Sequence, residues 1–125
     1  MKKYVTILLL SVFLSTVSAF SLPYPSAPEK IDDQNLPILG EVIIYPNPIT
    51  ESATITFTLS KTEPVTIEIY SLIGQKVATI AKNEVFHTGV NSITINKDAL
   101  KLTSSLYLLS ITCDGKTKNY KLFVR

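Results

Sequence analysis

Residues 105–125 read SLYLLSITCDGKTKNYKLFVR, and this stretch decides the fold. Asp114-Gly115 stands between two runs of alternating apolar and polar residues. The pair suits a two-residue type I′ turn, in which both central residues need positive φ and the turn's twist matches that of the strands. So short a loop fixes the register of the strands it joins. Cys113 then lies opposite Lys116, Ile111 opposite Lys118, Leu109 opposite Tyr120 and Tyr107 opposite Leu122. One face carries Tyr107, Leu109, Ile111, Tyr120, Leu122 and Val124. The other carries Ser110, Thr112, Thr117, Asn119 and Lys121, with Leu108 and Phe123 as apolar exceptions. Those two admit two readings: cover by the linker, or a contact surface for a partner.

Working back from this hairpin, the same period of two recurs. In ATITFTLS (53–60) Ala53, Ile55, Phe57 and Leu59 point one way, and Thr54, Thr56 and Thr58 the other. Alternation of this kind is the mark of a half-buried strand. VTIEIY (65–70) repeats it, with Val65, Ile67 and Ile69 inward and Thr66, Glu68 and Tyr70 outward. Pro64 stands just before that strand, where a missing N–H does least harm. SLIG (71–74) is a turn, QKVATIA (75–81) a strand, and FHTG (86–89) a break. VNSITIN (90–96) resumes the alternation with Ile93 and Ile95 inward, and KDALKLTS (97–104) is a connection with room for one helical turn. EVIIY (41–45) is the first strand and stops at Pro46. Seven short strands, short turns and no long helix predict an all-β protein, a seven-stranded antiparallel sandwich. It is immunoglobulin-like in architecture only, because the tryptophan and paired cysteines of true immunoglobulin domains are missing.

The N-terminus has a different character. MKKYVTILLLSVFLSTVSAF has two lysines, an apolar run and then small residues, with Val17 and Ala19 at the −3 and −1 positions of a cleavage site between Ala19 and Phe20. This is the layout of a secretory signal peptide, residues 1–19. The apolar run falls short of the roughly 20 residues a membrane-spanning helix needs, and Ser11, Ser15 and Thr16 interrupt it. Residues 20–39 carry Pro23, Pro25, Pro28 and Pro37 without apolar periodicity, and read as an extended Pro-rich linker. DDQN (32–35) lacks the glycine and later glutamate of a calcium loop. Residues 40–125 are then the folded domain.

Of the 12 basic residues, Lys2 and Lys3 leave with the signal peptide, so the exported chain balances its 10 acidic residues. A neutral chain offers no electrostatic ground for nucleic acid or anionic membrane as a partner. The single cysteine, Cys113, has no internal partner and reads as a small apolar strand residue. His87 is the one histidine and lies in the FHTG turn, so a metal centre lacks ligands. No serine sits in a nucleophile elbow, and four glycines are too few and too scattered for a phosphate cradle. Glu63, Glu68 and Glu84 fall at strand ends or on wet faces rather than beside one another. The residues point away from catalysis, cofactors and small-molecule substrates.

YPNP (45–48), TITFTLS (54–60), VTIEIYSLIGQKV (65–77), HTGVNSITIN (87–96) and the terminal hairpin occur in a fixed order. In that order and spacing residues 40–125 resemble the C-terminal sorting domain of the type IX secretion system of Bacteroidota. The resemblance implies motif roles for Tyr45, Pro46, Asn47, Pro48, Gly74, Gly89, Tyr107, Asp114, Gly115, Lys121, Leu122, Phe123 and Val124. Two positions depart from the family pattern: Ser105 and Leu106 stand where a glycine usually precedes the tyrosine, and Ser71 where the turn often has aspartate. The family implies export to the periplasm, recognition there by the outer-membrane translocon and its shuttle, removal of the domain by a surface sortase, and a final place on the cell surface or outside. Sorting domains normally follow a large cargo, and here about 20 linker residues precede the domain. A free-standing component of the secretion system, a remnant that lost its cargo, and a small exported binding or adaptor module of the envelope are the three expectations this leaves.

Overall fold

The computed structural model describes residues 36–125. The signal peptide, its Ala19–Phe20 cleavage site and the linker up to residue 35 lie outside the described residues. Seven strands follow in order: β1 (Leu39–Tyr45), β2 (Ser52–Leu59), β3 (Glu63–Ser71), β4 (Lys76–Phe86), β5 (Gly89–Asn96), β6 (Ser105–Cys113) and β7 (Lys116–Val124). They form two antiparallel sheets, β1-β2-β5 and β4-β3-β6-β7. This is the expected immunoglobulin-like sandwich.

The alternation does the sorting. Ala53, Ile55, Phe57 and Leu59 of β2 are all buried, and so are Val65, Ile67 and Ile69 of β3. They meet Leu109, Ile111 and Leu122 from the terminal hairpin in one core. Phe57 sits at its centre, fully buried, its ring 5.1 Å from that of Phe86 in an edge-to-face arrangement. Burial of a side chain of this size stabilises by about 1.5–3 kcal/mol before strain and entropy are counted. The wet face of β2 is tied sideways to β5 through Thr56–Ser92 and Thr54–Thr94 hydroxyl contacts of 3.2 and 3.5 Å.

The terminal hairpin has the register that the Asp114-Gly115 turn dictates, from Cys113–Lys116 to Ser105–Val124 without a shift. Both turn residues take positive φ, 51° and 67°, as a type I′ turn requires. Ser110, expected on the wet face, is 7% exposed. Cys113 is buried, as a small apolar strand residue should be, and that burial pushes its thiol pKa up.

Two strand boundaries differ from the sequence reading. β1 opens at Leu39, two residues before Glu41, because Leu39 packs into the core. β4 runs on to Phe86 instead of ending at residue 81. Its alternation is illegible because its pairing with β3 shifts at Val65/Ile67, Ile67/Glu68 and Ile69/Tyr70. The connection 97–104 is a series of turns that opens with a single helical turn, the Leu100 N–H donating to the Asn96 carbonyl at 3.1 Å, while Asn96 Oδ1 accepts from the Asp98 and Ala99 N–H groups at 2.9 Å. It drops Leu102 into the core.

Candidate functional site: a clip between the first and last motifs

β1 pairs with β2 as far as Tyr45–Thr54. Pro46 then ends the ladder, having no N–H to give. The chain crosses from one sheet to the edge of the other, through cis Tyr45–Pro46 and Asn47–Pro48 peptides. On arrival Asn47 meets β7. Its Nδ2 donates to the Lys121 carbonyl at 3.1 Å, and its Oδ1 accepts from the Phe123 N–H at 2.9 Å. One side-chain amide thus behaves as a single residue of a neighbouring strand. Asparagine is suited to this because its side chain carries the donor and acceptor of a peptide group.

Ile49 completes the joint with its backbone. Its N–H donates to the Phe123 carbonyl at 2.7 Å, and its carbonyl accepts from the Arg125 N–H at 2.8 Å, a parallel bridge to Val124. Its side chain is fully buried. Lys97 Nζ donates to the Arg125 carbonyl at 2.6 Å and closes the end. Residues 47–49 therefore cover the edge of β7 from Lys121 to Arg125.

This brings Tyr45, Pro46, Asn47 and Pro48 together with Lys121, Leu122, Phe123 and Val124. Leu122 and Val124 face the core, whereas Tyr45 is 75% exposed and Phe123 43%. Phe123 lies opposite Leu106 on the outer face of its sheet, and Leu108 opposite Tyr70, so an apolar band crosses that face. Phe123 is exposed there, whereas Leu106 and Leu108 are half-buried. The β3–β4 turn lies at the same end of the sheet, since Ser71 pairs with Tyr107. Leu72 and Ile73 stand at its tip, 61% and 87% exposed.

The other sequence-predicted residues are placed elsewhere. Gly74 takes φ 83° within the β3–β4 turn and Gly89 takes φ 103° at the start of β5, each satisfying a backbone need. Asp114 and Gly115 lie at the opposite end of the hairpin from Phe123. Tyr107 is buried, and its hydroxyl accepts from the Thr103 N–H at 3.1 Å and donates to the Thr103 carbonyl at 3.2 Å. That is the geometry of a tyrosine corner, which pins a loop to a strand. Three residues at this end were invisible in the sequence. Ile49 belongs to no alternating run, and the exposed pair Leu72-Ile73 reads as an ordinary part of a turn.

On the outer face Tyr70 donates its hydroxyl proton to Glu68 at 2.7 Å, and Lys76 Nζ lies 3.3 Å from the same carboxylate. The Tyr70 hydrogen bond, opposed by burial and helped by Lys76, holds the Glu68 carboxyl below its ordinary value and raises the Tyr70 pKa in turn. A cleft of about 560 Å³ lies near the Asp114-Gly115 end, with Leu36, Lys61, Cys113 and Lys118 among its walls. Among the described residues no group of histidine, cysteine and carboxylate side chains is placed to hold a metal ion.

The fold and the clip define a class first: a small all-β sandwich whose opening segment closes on its last strand. Residues 43–125 match the family of secretion-system C-terminal sorting domains, and the chain belongs to that family. The role of these residues is that of a sorting domain, in export from the periplasm through the type IX secretion machinery. A comparison with curated proteins finds no match. Among solved structures, the dimeric latent PorU from Porphyromonas gingivalis is similar over 66% of this chain, at 23% identity and a TM-score of 0.53. The match spans 9% of that much longer chain, and at this identity it speaks for the fold alone.

Proposed function

We infer that residues 40–125 are a folded address, recognised by the outer-membrane translocon and shuttle and separated by a sortase within residues 20–39. Its reading surface is the end of the sandwich where residues 45–49 meet β7. The observation that carries this reading is the Asn47 clip, which joins two motifs 74 residues apart into one exposed site. Only a folded domain presents both together, so a receptor that binds there tests folding as it reads identity. Tyr45 and Phe123 supply apolar contact area, with Leu72 and Ile73 at the same end; Leu36, Ile43, Val77, Val85 and Val90 are the other large apolar residues exposed among the described ones. Aromatic side chains that become buried on binding carry most of the affinity in many interfaces.

The test is a transplant. Residues 20–125 are placed behind a signal peptide and a fluorescent reporter, in a bacterium with an intact type IX system and in a mutant lacking its translocon. Reporter outside the outer membrane only in the intact strain is the expected result. Folded reporter retained in the periplasm of both strains would refute the reading and favour the binding or adaptor module.

A further inference from the structure

The clip leaves half of β7 uncovered. Phe123 turns both its N–H and its carbonyl away from β6, toward Asn47 and Ile49. Alternation along an antiparallel pair turns Lys121, Asn119 and Thr117 the same way. Asn47 takes the Lys121 carbonyl. Among the described residues no strand pairs with the outward N–H and carbonyl groups of Thr117 and Asn119, because β7 is the last strand of its sheet. Residues 117–121 are all exposed or half-buried.

Four edges exist in the two sheets, and this one differs from the rest. β4 is broken by register shifts, and β1 by one between Leu39 and Val42. β5 pairs regularly but carries no charged side chain. β7 is regular and carries Lys116, Lys118 and Lys121 with no acidic residue. The lysines stand on both faces of the edge, since Lys118 alternates with Lys121. Lysines here repel the like-charged edge of a second copy. The same charge favours a strand bearing aspartate or glutamate.

We propose that the β7 edge from Lys116 to Lys121 is a docking site for one short, acidic, extended segment of a partner protein, added as a further antiparallel or parallel strand. The hairpin turn bounds it at one end and Asn47 at the other, which leaves room for about five residues at strand spacing. Main-chain hydrogen bonds supply affinity, and Lys116 and Lys121 select the partner, Lys118 Nζ donating to the Leu39 carbonyl at 3.2 Å. The inference rests on the sorting reading and names where the machinery holds the domain.

The test uses a residue whose N–H points outward. In Asn119→Pro the edge loses that donor while the β6–β7 hydrogen bonds remain, because proline is tolerated where a strand N–H faces solvent. Asn119→Ala keeps the donor and removes only the side chain. The full chain with its own leader is expressed in a bacterium with an intact type IX system. The fraction outside the outer membrane, the melting temperature and the oligomeric state are measured. Asn119→Ala is exported like the wild type, whereas Asn119→Pro falls about tenfold or more, at an unchanged melting temperature. Lys116→Glu with Lys121→Glu falls as well. If Asn119→Pro melts early, Thr117→Pro repeats the test at the next outward position.

Export of the proline variants at the wild-type level, with wild-type export still dependent on the translocon, would overturn the docking edge and leave the sorting reading intact. A wild-type chain that never leaves the periplasm removes both. Normal export of the glutamate pair alongside a proline block overturns the acidic partner. A dimer that Asn119→Pro converts to monomer without loss of export assigns the edge to a second copy and overturns the proposal.

Discussion

β4 and β7 bound the four-stranded sheet on its two sides and are finished in different ways. β4 is bent out of register by its own neighbour. Asn83 takes φ 47°, its N–H donates to Thr66 Oγ1 at 3.0 Å, and that hydroxyl donates to Asn83 Oδ1 at 3.3 Å. A bulged, twisted edge offers no straight template to another strand. β7 keeps its register throughout, and half of it is covered by residues 47–49, from the connection between β1 and β2 of the other sheet. The first device is local: two adjacent strands suffice to make it. The second spans most of the domain and forms only when both sheets are in place. An edge closed from a distance therefore signals that folding is complete, which an edge closed locally does not.

The contrast can be broken by substitution, beginning with the largest effect. Ile49→Ala removes a fully buried side chain at the joint. A loss of about 2–5 kcal/mol is expected, seen as a melting temperature lower by about 10 °C or more. Asn47→Ala deletes both side-chain hydrogen bonds to β7 without opening a cavity, since Asn47 is exposed. About 1 kcal/mol in chemical denaturation is expected, because water replaces part of what is lost. Thr66→Val on the β4 side keeps the shape and removes the Asn83 anchor. About 1 kcal/mol or less is expected, with amide exchange faster near Asn83 and unchanged in β7.

The smallest effect sharpens the comparison by pH. Glu68 has its folded-state pKa depressed, chiefly by the Tyr70 hydrogen bond. Its contribution is therefore complete above the ordinary glutamate value of 4.5 and disappears as pH falls through the lower folded-state value. Denaturation midpoints of wild type and Glu68→Gln should converge in acid and separate above that range. A constant difference across the range would mean that the carboxylate charge contributes nothing.

The legibility of the sequence followed the same division. The β6–β7 register could be read residue by residue because Asp114-Gly115 admits one turn geometry and the flanking strands alternate, Leu108 and Phe123 apart. β2 and β3 were legible for the same reason of period. β4 was legible only as far as residue 81, because its bulges reset the alternation that would announce the rest. The clip was half legible. Pro46 and Pro48 mark the end of a strand, and the family resemblance marks the motif. That Asn47 reaches Lys121 and Phe123 depends on two sheets stacking, and no pattern within residues 45–49 encodes a contact so distant in the chain. Ile49 was hidden likewise, being buried by a crossing between layers rather than by a periodic face. Phe123, an exception to its strand's alternation, was the clearest sequence signal of the exposed end.

The union of residues 47–49 with β7 is tested most directly by hydrogen exchange at one amide. The Phe123 N–H belongs to an edge strand and has no donor role within its own sheet. It should nonetheless be protected in the wild type, and exchange about tenfold faster or more in Asn47→Ala. The neighbouring Leu122 amide, bonded across to β6, should stay unchanged. A Phe123 amide that exchanges freely in the wild type, or that Asn47→Ala leaves as protected as before, would contradict the clip and with it the joining of the first and last motifs into one site.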